Sequence, residues 1–186
     1  PVFERAQAWG VIMQAYKNAV CISGTHGKTT TTSMVAHILM EAPWDPTVMI
    51  GGTLSMLGSG YRVGKGNTII LESCEYCNSF LSFFPTVAVI LNVEADHLDF
   101  FKDLEDVEHS FHEFAALVPQ RGYVIVNADD EGAMDSVKGL EHPVFTFGIA
   151  HRDADCTAQN VAFHDGFPSF DIVIHGETYA HVEMQV

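Results

Sequence analysis

The chain has 186 residues, of which 47% are hydrophobic, and this is enough apolar material for one sizeable core. Nine lysines and arginines oppose 24 aspartates and glutamates, and the net charge of −15 argues against a nucleic-acid partner. The longest apolar stretch, residues 80–91, is too short to span a bilayer, and four scattered cysteines do not suggest a disulfide framework, so we expect a cytoplasmic protein without a membrane partner.

The first predicted elements are a helix, a strand and a second helix. Apolar residues at helical spacing predict an amphipathic helix near the start of the chain: Val2, Ala6, Trp9, Met13 and Tyr16. Residues 18–23 predict a strand, and residues 29–42 predict a helix that ends before Pro43. The predicted inward face of that second helix is Met34, Val35, Ile38 and Leu39.

A glycine-flanked loop separates this strand from the second helix. Backbone N–H groups beside glycine can approach phosphate oxygens, Lys28 adds a positive charge, and Thr29 offers a hydroxyl to magnesium. Only two residues separate Gly24 from Gly27, whereas the usual phosphate loop has four, and Ile22 stands where its first glycine would be. The loop is therefore a candidate phosphate site, and a plain glycine turn between strand and helix is the alternative.

The middle of the chain predicts three more strands. Residues 47–50 form one short apolar run, and the six glycines within residues 51–66 are typical either of a mobile loop near a ligand or of a hairpin. The continuously apolar runs at residues 67–72 and 86–92 predict strands that are buried on both faces.

The second half alternates helices and strands before the pattern changes. The predicted elements are a helix at 103–118, a strand at 123–126, a short helix at 129–137 and a strand at 144–147. After Ala150, short runs separated by Asp165-Gly166 and His175-Gly176 predict an antiparallel meander. The predicted fold class is α/β: a doubly wound, mostly parallel sheet with a phosphate loop and a small antiparallel meander at the C-terminal end.

Two polar residues follow buried strands at positions where parallel sheets bind ligands. Glu72 ends one apolar run, and His97 lies in the acidic segment 92–99 after the next. If these two strands and the strand before the glycine loop are neighbours, Thr29, Glu72 and His97 can converge on a bound magnesium ion. The alternatives are a helix-capping or solvated carboxylate for Glu72 and a hydrogen-bonded loop histidine for His97.

Cys74 and Cys77 have a spacing that is found in metal and redox sites. A zinc site needs further ligands and a redox pair needs its own helix N-terminus, and the sequence shows neither. We therefore predict that this pair is neither a zinc site nor a disulfide.

Three motifs in order resemble the Mur ligase family. They are Gly-Thr-His-Gly-Lys-Thr-Thr at residues 24–30, Glu-x-x-Glu at 72–75 and Asn-x-Glu-Ala-Asp-His-x-Asp at 92–99. The resemblance is to the central ATP-binding domain of the family and covers essentially the whole chain. It includes the family's compact glycine loop. It is greatest to the branch that joins L-alanine to UDP-N-acetylmuramate. Several other relatives carry a carbamylated lysine in the helix after the third motif. This chain has no lysine at that place, because Lys102 lies too early and the next lysine, Lys138, too late.

The resemblance implies a set of site residues and two cofactors, ATP and Mg²⁺. It makes Thr29 and Glu72 magnesium ligands, assigns His97 to a second magnesium ion, and gives catalytic roles to Lys28, Glu72 and His97. Cys74 and Cys77 occupy positions where many members have acidic residues. The residues implied to surround the ATP phosphates are Gly24, Thr25, His26, Gly27, Lys28, Thr29 and Thr30.

The implied reaction is ATP-dependent formation of an amide bond between UDP-N-acetylmuramate and L-alanine, through an acyl phosphate, in bacterial peptidoglycan synthesis. Another phosphate-loop kinase or NTPase, or a nucleotide-binding module without turnover, would share the loop and Glu72. Family members also carry a domain for the uridine nucleotide and one for the amino acid. We therefore expect residues 1–186 to be a single central domain, a fragment that folds and binds small molecules but does not ligate. The oligomeric state is left open.

Overall fold

The computed structural model describes residues 2, 4–54 and 58–185. The helices in these ranges are α1 (Arg5–Met13), α2 (Lys28–Glu41), α3 (Leu104–Ala116) and α4 (Glu131–Ser136). The strands are β1 (Asn18–Ser23), β2 (Thr47–Leu54), β3 (Ser59–Arg62), β4 (Thr68–Glu72), β5 (Val87–Ile90), β6 (Tyr123–Asn127), β7 (Val144–Gly148), β8 (Cys156–His164), β9 (Phe167–Ile174) and β10 (Glu177–Glu183). Tight 3-10 turns occupy Tyr76–Ser82. Within the described ranges, no helix combines the length and apolar content needed to cross a membrane.

The ten strands that these ranges contain form one sheet, in the order β10-β9-β8-β7-β6-β5-β1-β4-β2-β3. All pairs from β2 through β4, β1, β5, β6 and β7 to β8 are parallel. The pairs β8–β9 and β9–β10 are antiparallel, so the predicted meander is confirmed. Because β8 pairs with β7, the meander continues the main sheet instead of forming a separate layer.

Side chains of the central strand β1 alternate between two cores, as successive strand residues must. Cys21 is buried in one cluster with Phe111 and Phe114 of α3. Its neighbour Ile22 is buried in the other cluster with Ala36 of α2. Helices therefore cover both faces of the sheet, and the predicted doubly wound arrangement is confirmed.

The first helix is shorter than its apolar stripe predicted. It begins at Arg5, where Glu4 and Gln7 form a capping box, and Val2 lies outside it and is fully exposed. Trp9 packs against the core as predicted, and Met13 is buried in it, whereas Tyr16 follows the end of the helix.

Half of the predicted inward face of α2 is confirmed, because Val35 and Leu39 pack against the core cluster that contains Ile22 and Ala36. Met34 and Ile38 are exposed, and the fully buried positions are Thr32 and Ala36. These two positions are four residues apart and so lie on one helix face, and the small Ala36 side chain lets the helix approach the sheet. Four apolar residues within six positions do not by themselves decide which face points inward.

The glycine-rich segment forms a hairpin, which confirms one of the two interpretations of its composition. Strands β2 and β3 are antiparallel, and Val48 pairs with Arg62. Strand β2 extends to Leu54, beyond its predicted end at residue 50. Residues 55–57 lie outside the described residues.

Candidate functional site

The loop between β1 and α2 needs glycine at both of its ends. Gly24 has a φ of +142°, and a Cβ atom there would lie 2.9 Å from the Leu91 Cβ. Gly27 has a φ of +81° and forms the N-cap of α2. Because the first turn of a helix has no intrahelical acceptors for its N–H groups, residues 28–30 present backbone donors at this point. The backbone alone therefore offers the donors that a phosphate-binding loop uses.

The segment after β5 holds this loop through hydrogen bonds. The Asn92 side chain accepts from the His26 backbone N at 2.7 Å and donates to the His26 backbone O at 3.1 Å. The Thr25 N donates to the Asn92 backbone O at 3.0 Å. The Thr25 hydroxyl is buried and accepts from the Glu94 N at 2.9 Å, so this side chain serves the loop conformation. The His26 ring, by contrast, is largely exposed.

Lys28 contacts a buried carboxylate that sequence analysis did not select. Its Nζ lies 2.9 and 3.1 Å from the two carboxylate oxygens of Glu75, and it also donates to the backbone O atoms of Gly24 and Thr25. The Glu75 side chain is only 2% exposed and that of Lys28 only 13%. The sequence does contain a signal for Glu75, which is the second acid of the Glu-x-x-Glu motif at residues 72–75. The family resemblance includes this motif without implying a role for its second acid.

Thr29 and Glu72 come together as predicted from their positions at a helix start and a strand end. The Thr29 hydroxyl donates to Glu72 Oε1 at 2.8 Å, and the Gly51 N donates to Oε2 at 2.7 Å. A hydroxyl and a carboxylate are hard oxygen donors, which are the ligands that magnesium prefers. The pair fits a magnesium site in its chemistry, and the metal role itself remains a prediction.

Thr29, Glu72 and His97 follow three strands that are contiguous in the sheet. Strands β4 and β5 flank β1, so the condition for the predicted convergence, neighbouring strands, is met. Within the described ranges, no cluster of three or more histidine, cysteine or acidic side chains is arranged to bind one metal ion. Convergence of Thr29, Glu72 and His97 on magnesium therefore stays a prediction, as does the assignment of His97 to a second ion.

The His97 side chain lies next to Glu75 and Tyr76. Its Nε2 is 3.7 Å from Glu75 Oε1, and the centroids of the His97 and Tyr76 rings are 4.7 Å apart. Tyr76 in turn donates a hydrogen bond to Asp99 at 2.9 Å. His97 has a φ of +53°, a conformation that non-glycine residues rarely adopt. Glu75 thus lies between Lys28 and His97.

The two cysteines of the spacing pair are exposed thiols near this site. Cys74 lines a cavity of about 370 Å³ together with Glu72, Tyr76 and Trp9. Partial burial nevertheless raises the pKa of the Cys74 thiol, although a backbone hydrogen bond from Tyr76 opposes the change. Both cysteines are free in the structure, and whether the protein contains zinc remains for measurement.

The fold and these contacts define a phosphate-loop α/β domain, with a lysine, a threonine and two glutamates at the carboxyl ends of central strands. A model of the Mur ligase middle domain matches residues 22–186. The chain belongs to the Mur ligase family.

Relatives of known name agree with this assignment. The chain is 47% identical over 169 residues to UDP-N-acetylmuramate--L-alanine ligase of Clostridium novyi, covering 91% of this chain and 36% of the relative. It is 42% identical over 187 residues to the ligase of the same name from Caldanaerobacter subterraneus, covering 100% of this chain and 40% of the relative. The chain therefore spans well under half the length of these relatives.

Solved structures show the same fold. UDP-N-acetylmuramate:L-alanyl-gamma-D-glutamyl-meso-diaminopimelate ligase from Neisseria meningitides superposes with a TM-score of 0.88 at 28% identity, covering 100% of this chain and 61% of that one. UDP-N-acetylmuramate-alanine ligase from Thermotoga maritima gives a TM-score of 0.79 at 25% identity, covering 95% and 39%.

Proposed function

We propose that this chain binds ATP with magnesium as part of a ligase that joins L-alanine to UDP-N-acetylmuramate in peptidoglycan synthesis. The observation that carries the proposal is the meeting of Lys28, Thr29 and Glu72 at the end of β1, in a chain 42% and 47% identical to ligases of that name. Family membership favours this ligase over the kinase or NTPase alternative.

Each loop residue has a distinct proposed role toward the nucleotide. The backbone donors of residues 24–30 contact phosphate oxygens, and Lys28 screens the negative charge of the β- and γ-phosphates. Thr29 and Glu72 hold magnesium, which supplies positive charge to the same phosphates when bound. His97 would hold a second ion, which would supply further positive charge to the transferred phosphate.

The proposed reaction has two steps. A carboxylate oxygen of UDP-N-acetylmuramate attacks the γ-phosphorus, the bond between this phosphorus and the ADP oxygen breaks, and an acyl phosphate forms. The amine of L-alanine then attacks the acyl carbon, inorganic phosphate leaves, and the amine gives up its extra proton as the amide forms. Both reactants of the first step are anions, so the chain's contribution is positioning and charge stabilisation by Lys28.

We further propose that the chain alone binds nucleotide but does not ligate. It spans 36% and 40% of the length of the two relatives described above. The contacts to the uridine nucleotide and to L-alanine would then come from other parts of such an enzyme. The cytoplasmic location expected from composition belongs to the same proposal.

Lys28→Ala tests the phosphate site, and the exposed Lys17→Ala is its matched control. A charged hydrogen bond contributes about 1.5–3 kcal/mol, so Lys28→Ala should weaken magnesium–ADP binding about 10- to 150-fold in calorimetric titration. Lys17→Ala should bind like wild type.

In the complete gene product, supplied with UDP-N-acetylmuramate and a panel of amino acids, ADP release should depend on L-alanine and fall with Lys28→Ala. Turnover of that variant within a few fold of wild type would contradict the proposal.

Glu72→Gln and His97→Ala test the metal roles separately. Each should shift the magnesium dependence of ADP release to higher magnesium concentration, because each removes a proposed ligand. Magnesium titrations of both variants that overlay the wild type would show that neither residue binds the ion.

A further inference from the structure

The lysine of the phosphate loop is already paired with an anion in this structure. Both Glu75 carboxylate oxygens are within 3.1 Å of Lys28 Nζ. The carboxylate is 2% exposed, so water screens its charge little. Its electrostatic attraction for the Lys28 ammonium group is correspondingly strong. The Glu75 carboxylate therefore offsets part of the Lys28 charge, and the loop presents less positive charge to a phosphate.

The phosphate loop and the segment at the end of β4 bring Lys28 and two carboxylates to the same end of the sheet. Glu72 is hydrogen-bonded to Thr29, and Glu75 is bonded to Lys28. A metal-free polyphosphate brings several further negative charges to this group and is repelled. A magnesium–nucleotide complex carries two compensating positive charges with it, so the same carboxylates oppose it far less.

We propose that Glu75 is a specificity-determining residue that makes the phosphate loop accept the metal–nucleotide complex and reject free nucleotide. The inference rests on the proposed nucleotide site. Glu72 and Glu75 then differ in role: Glu72 offers oxygen donors to magnesium, whereas Glu75 acts through Lys28. Removing the Glu75 charge leaves Thr29 and Glu72 in place and frees the Lys28 charge for phosphate.

The test compares ADP binding to the 186-residue chain in excess magnesium and in a metal chelator. Wild type should bind magnesium–ADP at least about tenfold more tightly than free ADP, a difference of about 1.4 kcal/mol. Glu75→Gln should tighten the binding of free ADP by about tenfold and change magnesium–ADP binding by less than about threefold, because only the free nucleotide lacks a compensating charge. Glu177→Gln, which removes an exposed carboxylate on the edge strand β10, is the charge-matched control and should behave as wild type.

Each other outcome overturns the inference. Equal weakening of both binding modes by Glu75→Gln would show that Glu75 serves only the structure of the loop, and selective weakening of magnesium–ADP would make it a metal ligand. If the variant does not fold, the wild type still decides: equal affinity for free and magnesium-bound ADP refutes the selectivity. Absence of any magnesium–ADP binding by wild type would instead refute the proposed nucleotide site on which the inference depends.

Discussion

Asn92→Ala measures how much the segment after β5 contributes to the phosphate loop. The Asn92 side chain makes two hydrogen bonds to the backbone of one loop residue, His26, at 2.7 and 3.1 Å. The bond from the Thr25 N to the Asn92 backbone O is retained when the side chain is shortened to alanine. The substitution therefore removes two loop contacts without changing the strand that carries them.

The expected loss follows from these two bonds. Each contributes about 0.5–1.5 kcal/mol net, and because both are exposed to solvent we take the lower part of this range, about 1–1.5 kcal/mol together. A loop that has lost these contacts must be ordered when phosphate binds, so the same free energy is subtracted from binding. Magnesium–ADP affinity should fall about 5- to 12-fold.

Isothermal titration of magnesium–ADP into wild type and Asn92→Ala measures this loss directly. Asn18→Ala is the control, since Asn18 donates one side-chain hydrogen bond to Thr68 at the opposite end of β1. That variant should unfold more easily but keep the wild-type affinity. An Asn92→Ala affinity within twofold of wild type, or an equal loss in Asn18→Ala, would refute the idea that Asn92 pre-orders the loop.

Three further predictions concern the cysteines and one carboxylate. A thiol reagent should modify the exposed Cys74 and Cys77 in the folded chain but not Cys21, because burial raises the Cys21 pKa to about 12. Peptide mapping that finds all three cysteines modified at one rate would contradict this prediction. Metal analysis of the same sample should find no stoichiometric zinc. Burial alone would raise the pKa of Asp129, but hydrogen bonds from the N–H groups of residues 149–151 lower it below its ordinary value. Its contribution to stability is then present above the unfolded-state pKa of about 4 and is lost as the pH falls further. Asp129→Asn should therefore lower the free energy of unfolding by about 1–3 kcal/mol at pH 7 and by less below pH 4, and a pH-independent difference in denaturant titrations would contradict the assignment.

Local sequence was enough to predict the elements whose cause is local. The strand, glycine loop and helix around Gly24 and Gly27 follow from apolar runs and from backbone angles that glycine adopts readily. The turns at Asp165-Gly166 and His175-Gly176 likewise have positive φ at all four residues, which these residue types tolerate. Such signals depend on neighbours within a few positions, so a single sequence contains them in full.

Only the tertiary structure decided the order of the strands and therefore the composition of the site. The apolar runs that became β4 and β5 are equally suited to any central position, and their pairing on the two sides of β1 decides that Glu72 and His97 follow strands next to that of the phosphate loop. The same order brings Glu75 to Lys28, 47 residues away in the chain. No local pattern encodes that contact, because it depends on which strands pair and on where the turns after β4 direct the chain.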